Sequence, residues 1–130
     1  MGQAPKWVRP DAVLIFHDQQ IEEHGGLTGL LDPRKLESAL ARPQNCWNYS
    51  EPQPDLAHLA AAYACGICQA HAFADGNKRV AAVTAITFLL LNGCDFDPPE
   101  HELVAVMMSI ASGEIDEEEV ARWIRLNLSN

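Results

Sequence analysis

The sequence predicts an all-α fold, a compact bundle of about six helices around a buried central one. Two observations predict it. Apolar residues recur at three- and four-residue spacings between Asp, Pro and Gly punctuation, and no segment sustains a period-two alternation with turn signals. The 130 residues, 48% of them hydrophobic, suit a single domain over residues 1–130, because a chain of that length buries about two-thirds of its unfolded surface. Only a short polar start, MGQAPKW, and the tail LSN are expected to lie outside the globular part.

Each element has its own signal. Asp11, after Pro10, is the expected cap of a first helix that carries Val13, Leu14, Phe16 and Ile21 and stops at Gly25-Gly26. Asp32-Pro33 opens a second, because Asp is a good N-cap and Pro is tolerated at the first helical position; PRKLESALAR is expected to end before Pro43. RPQNCWNYSEPQP reads as a loop. Asp55 caps a long apolar helix, LAHLAAAYACGICQAH, ending near His71. The next helix runs from Asn77 to Asn92 and stops at Gly93; its apolar character on all sides predicts that it is the buried central one. Pro98-Pro99 opens EHELVAVMMSIAS, closed by Gly113, and Asp116 caps EEEVARWIRLNL, whose first turn carries the acids that the helix dipole favours.

Charge and composition exclude several functions. A net charge of −9 argues against sequence-independent binding to nucleic acid, whose affinity comes from cations neutralising phosphates, and suits a basic protein or peptide partner. The longest apolar run, Val80 to Leu91, falls short of the roughly 20 residues that span a bilayer, and no signal peptide is recognisable. The expected location is the cytoplasm, where Cys46, Cys65, Cys68 and Cys94 would be reduced. Cys65 and Cys68 form a CxxC near His71, but without a second ligand pair they read as small apolar residues on a helix face.

The stretch HAFADGNKR, residues 71–79, carries the chemistry. Lys78 and Arg79 sit at the positive end of a helix dipole, where cations are unfavourable by roughly 0.3–1 kcal/mol each unless an anion intervenes. A tight turn at Gly76 would leave the first backbone N–H groups unpartnered, and a phosphate placed there would satisfy them while pairing with both cations. Asp75 would be repelled by that phosphate unless it held a Mg²⁺ bridging the two. His71, just upstream, suits proton abstraction from an incoming hydroxyl. Taken singly, a histidine at a helix end reads as a cap and a Lys-Arg pair as a solvated start; the combination points to phosphoryl chemistry.

The motif resembles the signature of the Fic/Doc family, HxFx[D/E][G/A]N[G/K]R. His17-Asp18, GGLTG, Asp32, LESALARPQ, FLLLNG and ASGEI follow in the order and spacing of its Doc (death-on-curing) toxins, over nearly the whole chain. The resemblance implies a six-helix fold, ATP with Mg²⁺, and a toxin–antitoxin pair with elongation factor Tu as target and a Phd-like antitoxin as inhibitor. It assigns His71 as general base, Asp75 as Mg²⁺ ligand, and Asn77, Lys78 and Arg79 with the Gly76 backbone as phosphate binders. Phe73 is expected to pack in the core, and His17 and Asp18 to be structural. Trp47 and Tyr49 fall in the segment that resembles the target-docking flap. Adenylylating members have Gly where this chain has Lys78, a lysine shared with Doc toxins, which implies γ-phosphate transfer; Gly76 departs from the Ala of some Doc toxins. Two alternatives stay open, an adenylyltransferase and a non-catalytic binding module.

Overall fold

Six α-helices and no strand make up residues 3–129, the part of the chain described by the computed structural model: α1 Pro10–His24, α2 Pro33–Tyr49, α3 Leu56–Ala70, α4 Asn77–Leu91, α5 Glu100–Ser112 and α6 Glu117–Leu126. The buried centre is α3. It packs on α2, α4, α5 and α6, and ten of its 15 residues are buried, with Leu59, Tyr63 and Ile67 fully enclosed. The helix expected at the centre, α4, lies one layer out, against α1, α3 and α5, and leaves Leu90 and Leu91 exposed at its end. Alanines explain the difference, since a helix rich in them lets neighbours approach from every side.

Three caps behave as the residue types dictate. Asp32, Asp55 and Asp116 accept from Lys35, His58 and Glu119 N–H, and Glu119 returns a bond to Asp116 N–H. Asp11 does not cap α1. With Pro10 at the first helical position the cap falls on Arg9, and the Asp11 carboxylate accepts instead from Arg9 and Ala12 N–H.

Pro43, expected to end α2, lies inside it, and the helix runs on to Tyr49. A helix-interior proline costs about 3 kcal/mol. Here Leu36, Ala39, Leu40 and Pro43 form a buried stripe at i, i+3, i+4, i+7, and burying it offsets that cost. α3 approaches this stripe closely: a Cβ on Gly66 would lie 3.3 Å from the Ala39 carbonyl oxygen.

Both ends are tied to the bundle rather than lying outside it. Lys6 N–H donates to Asn92 Oδ1 at 2.8 Å, Asn92 Nδ2 returns a bond to Lys6 O, and Trp7 stacks on Phe88 at 5.8 Å. Ser129 N–H donates to Asp95 O at 2.9 Å. Met1, Gly2 and Asn130, the outermost residues of those two polar stretches, lie outside the described residues. Among the described residues no helix is long and apolar enough to cross a membrane.

Candidate active site

α3 ends in a left-handed turn. His71 caps it with φ 49° and ψ 41°, the one positive φ outside glycine among the described residues. Such a backbone costs on the order of 1–3 kcal/mol and persists where the surroundings hold it. They do: Leu31 and Asp32 N–H both donate to Ala72 O, and Ala74 N–H donates to Gly29 O, so that residues 29–32 pair antiparallel with the motif. The His71 ring is left exposed and without a hydrogen-bond partner among the described residues.

A second left-handed residue, Gly76 with φ 79°, turns the chain into α4. No side chain caps that helix, and Val80 N–H to Gly76 O at 3.0 Å is its first internal bond, so the amides of Asn77, Lys78 and Arg79 face outward. Lys78 and Arg79 are exposed on the same turn, with Arg79 Nη1 reaching back to Gly25 O at 3.5 Å. An uncapped helix end beside two cations can hold an anion by backbone donors and charge together.

Asp75 stands beside this end. Its Oδ1 accepts from Gly76 N–H at 2.9 Å and its Oδ2 from Leu27 N–H at 3.3 Å, yet the carboxylate stays exposed. Among the described residues no three His, Cys, Asp or Glu side chains converge as a metal cage. One fixed carboxylate fits Mg²⁺, which is held by one or two carboxylates plus phosphate oxygens and water.

Asn77 closes the motif turn: Oδ1 accepts from Phe73 N–H at 3.1 Å and Nδ2 donates one hydrogen to Phe73 O at 3.0 Å, which leaves its second Nδ2 hydrogen and its backbone amide as donors. Trp47 and Tyr49 lie near the far end of α2, about 22 and 26 Å from Asp32 at the helical rise per residue, and so not beside the motif. Trp47 packs against the core and Tyr49 is exposed. The prolines around them read as a loop because a proline ordinarily ends a helix.

The segment that does border the motif is residues 25–32, which exposes Leu27 and Leu31. A Cβ on Gly26, whose φ is 122°, would sit 2.7 Å from Asp75 Oδ2. Its sequence signals are the Gly-Gly pair that stops α1 and the GGLTG segment shared with Doc toxins, neither of which places it beside Asp75. His17 takes the structural place expected of it. It is buried, stacks on Phe73 with ring centroids 4.0 Å apart, and its Nε2 meets Asp75 O at 2.8 Å. Phe73 is buried in the core as expected, and Asp18 is exposed. The CxxC thiols face the interior, where burial pushes Cys65 up to about 12 and Cys68 up to about 11, and so they pack as protonated thiols.

An apolar groove of about 420 Å³ runs from Lys78 and Arg79 along α4 and α5, floored by Ala82, Val83, Ile86, Leu103, Val104 and Met107. The sequence model described as the Fic/DOC family matches residues 7–89. The chain is 36% identical over 119 residues to "Protein kinase doc" of Escherichia phage P1, covering 91% of this chain and 92% of that protein. It is also 36% identical over 101 residues to "Toxin Doc" of Mycolicibacterium smegmatis, covering 75% and 76%.

Proposed function

The chain belongs to the Fic/DOC family, and on that premise we propose that it is the toxin of a toxin–antitoxin pair, a protein kinase that arrests translation by transferring the γ-phosphate of ATP to a hydroxyl side chain of elongation factor Tu. The observation that carries this reading is the uncapped start of α4, where outward amides stand with exposed Lys78 and Arg79, next in the chain after Asp75 and six residues after the exposed His71 that ends α3. The similarity to a protein kinase and a toxin of the same family supports it.

The residues divide the work. The Asn77, Lys78 and Arg79 amides and the two cations bind and orient the phosphate chain, with Arg79 able to grip two oxygens and Lys78 acting as a point charge. Asp75 would hold Mg²⁺, which when bound neutralises charge on the phosphate oxygens. His71 takes the proton from the target hydroxyl as its oxygen bonds to the γ-phosphorus; the bond from that phosphorus to the β–γ bridging oxygen breaks, and ADP leaves. Lys78 sets the direction. It fills the position that adenylylating members leave to Gly, which favours a γ-phosphate at the helix start over an α-phosphate.

Residues 25–32 border the transfer point and are the surface a target segment would meet first. The groove along α4 and α5 suits a Phd-like antitoxin whose disordered tail folds on binding, since an apolar floor of helical spacing accepts one face of an amphipathic helix. Val104 and Met108 are exposed along it, as a helix partner requires. The reading is tested by expressing the protein without its inhibitor in a bacterial host, beside His71→Ala. The wild type should stop growth and protein synthesis. The variant should fold and bind nucleotide but lose about 10²–10⁴ in transfer rate, and with it the toxicity. Full toxicity of His71→Ala would remove the mechanism.

A further inference from the structure

His17 lies on α1, 58 residues before Asp75 in the chain, and its polar ring is buried. Burial of a polar ring without a partner is costly, so its contacts show its use. One face stacks on Phe73 at 4.0 Å with an interplanar angle of 11°. Its Nε2 lies 2.8 Å from the Asp75 carbonyl oxygen, and a carbonyl only accepts, so Nε2 must carry the hydrogen. The same ring sits against the next residue: a Cβ on Gly76 would be 3.7 Å from His17 Cδ2.

These contacts converge on one peptide. The carbonyl of Asp75 is drawn toward α1, while the Gly76 N–H of the same peptide donates to Asp75 Oδ1 at 2.9 Å. A peptide is planar, so fixing its carbonyl fixes its N–H as well. That orientation holds the Asp75 carboxylate in place and sets the left-handed turn at Gly76 from which the amides of α4 open outward. A backbone of this kind is held by its surroundings rather than by its own preference.

We infer that His17 is a positioning residue for the transfer reaction: its Nε2–H and its stack on Phe73 hold the 75–76 peptide, and through it the carboxylate and the anion-binding amides, in working geometry. This inference rests on the proposed function for its kinetic consequence, but its structural content can be measured independently.

The first measurement needs no variant. Long-range nitrogen–proton NMR correlations on the wild-type protein should show the His17 proton on Nε2; a proton on Nδ1 alone would overturn the inference. The second compares His17→Phe, which keeps a ring for the stack but has no donor, with His17→Gln, whose amide N–H can reach the same carbonyl. Both are followed by thermal unfolding, by amide hydrogen exchange over residues 74–79, and by transfer kinetics. His17→Phe should keep a cooperative unfolding transition, speed amide exchange in that window, raise the KM for ATP and lower kcat about tenfold to a hundredfold, the scale of a misplacement of about 1 Å. His17→Gln should recover most of both effects. Exchange and kinetics unchanged in His17→Phe, or Gln no better than Phe, would overturn the assignment. If the wild type transfers no phosphate the proposed function fails, and the tautomer and exchange results still decide the case for His17.

Discussion

Gly26 and Asp75 occupy one space: a Cβ on Gly26 would lie 2.7 Å from Asp75 Oδ2, and the φ of 122° at Gly26 is one that side chains rarely tolerate. The segment after α1 is therefore fitted around the carboxylate that the proposed mechanism assigns to Mg²⁺.

Gly26→Ala is accordingly expected to push the carboxylate aside and to strain its own backbone, by on the order of 1–3 kcal/mol. Mg²⁺-dependent transfer should fall, and the Mg²⁺ concentration for half-maximal rate should rise. Assays across a Mg²⁺ titration, with a urea unfolding curve for stability, check both. An unchanged Mg²⁺ dependence would detach Asp75 from the metal.

Lys78→Ala should lower γ-phosphoryl transfer by about 10²–10³, the usual scale for removing one group that stabilises developing charge. The fold should be unaffected, since Lys78 is exposed and its side chain makes no hydrogen bond or ion pair among the described residues. Lys78→Gly should in addition permit weak transfer of the α-label. Steady-state kinetics with both labels and a circular dichroism melt measure these effects. A Lys78→Ala enzyme as fast as the wild type would remove the lysine from the phosphate site.

A peptide from the C-terminal segment of the antitoxin should gain helicity on mixing and stop the activity. Met108→Glu, which places a charge on an exposed position of the groove wall, should weaken that inhibition by about tenfold or more while leaving transfer intact. Titration followed by circular dichroism and by activity separates the two effects. A peptide that inhibits Met108→Glu as well as the wild type would place the partner elsewhere.

Asp55 gives a pH prediction. It caps α3 and accepts two bonds from Arg125 on α6, and that guanidinium holds its carboxyl below the usual 3.8. A carboxyl lowered on folding contributes stability that is fully present above pH 3.8 and fades as pH falls through its folded value. Both side chains are about half exposed, so the ion pair contributes roughly 0.2–1 kcal/mol. Arg125→Ala should thus cost less than about 1 kcal/mol at neutral pH, and Asp55→Ala about 1–2 because the cap goes too. Urea unfolding between pH 3 and 7 should show the Arg125→Ala penalty shrinking toward zero in acid; a constant penalty would contradict the linkage.

The helix count was legible because punctuation and periodicity are local. Asp32, Asp55, Asp116, Gly93 and Gly113 mark ends without reference to the rest of the chain. What was not legible depended on partners. Nothing near Pro43 in the sequence shows that its ring would be buried in a stripe running on to Tyr49, and reading it as a stop moved Trp47 and Tyr49 into a loop. The alanines of α3 and the leucines of α4 are both apolar, and only packing shows that the smaller side chains sit at the centre. The motif yielded its residue types, since backbone donors, cations, carboxylate and imidazole are properties of nine consecutive residues. Its supports did not: Asn77 turns inward onto Phe73, and His17 and Gly26 meet Asp75 from 58 and 49 residues away in sequence.

The proposed function requires the site to move a γ-phosphate. Purified protein, Mg²⁺ and elongation factor Tu should be incubated in parallel with ATP labelled at the γ-position and at the α-position, and the target then isolated under denaturing conditions. The γ-label should join the target through a phosphoester to a hydroxyl side chain, with ADP as co-product, while the α-label stays in solution and His71→Ala transfers neither. Transfer of the α-label by the unmodified protein, with release of pyrophosphate, would contradict it.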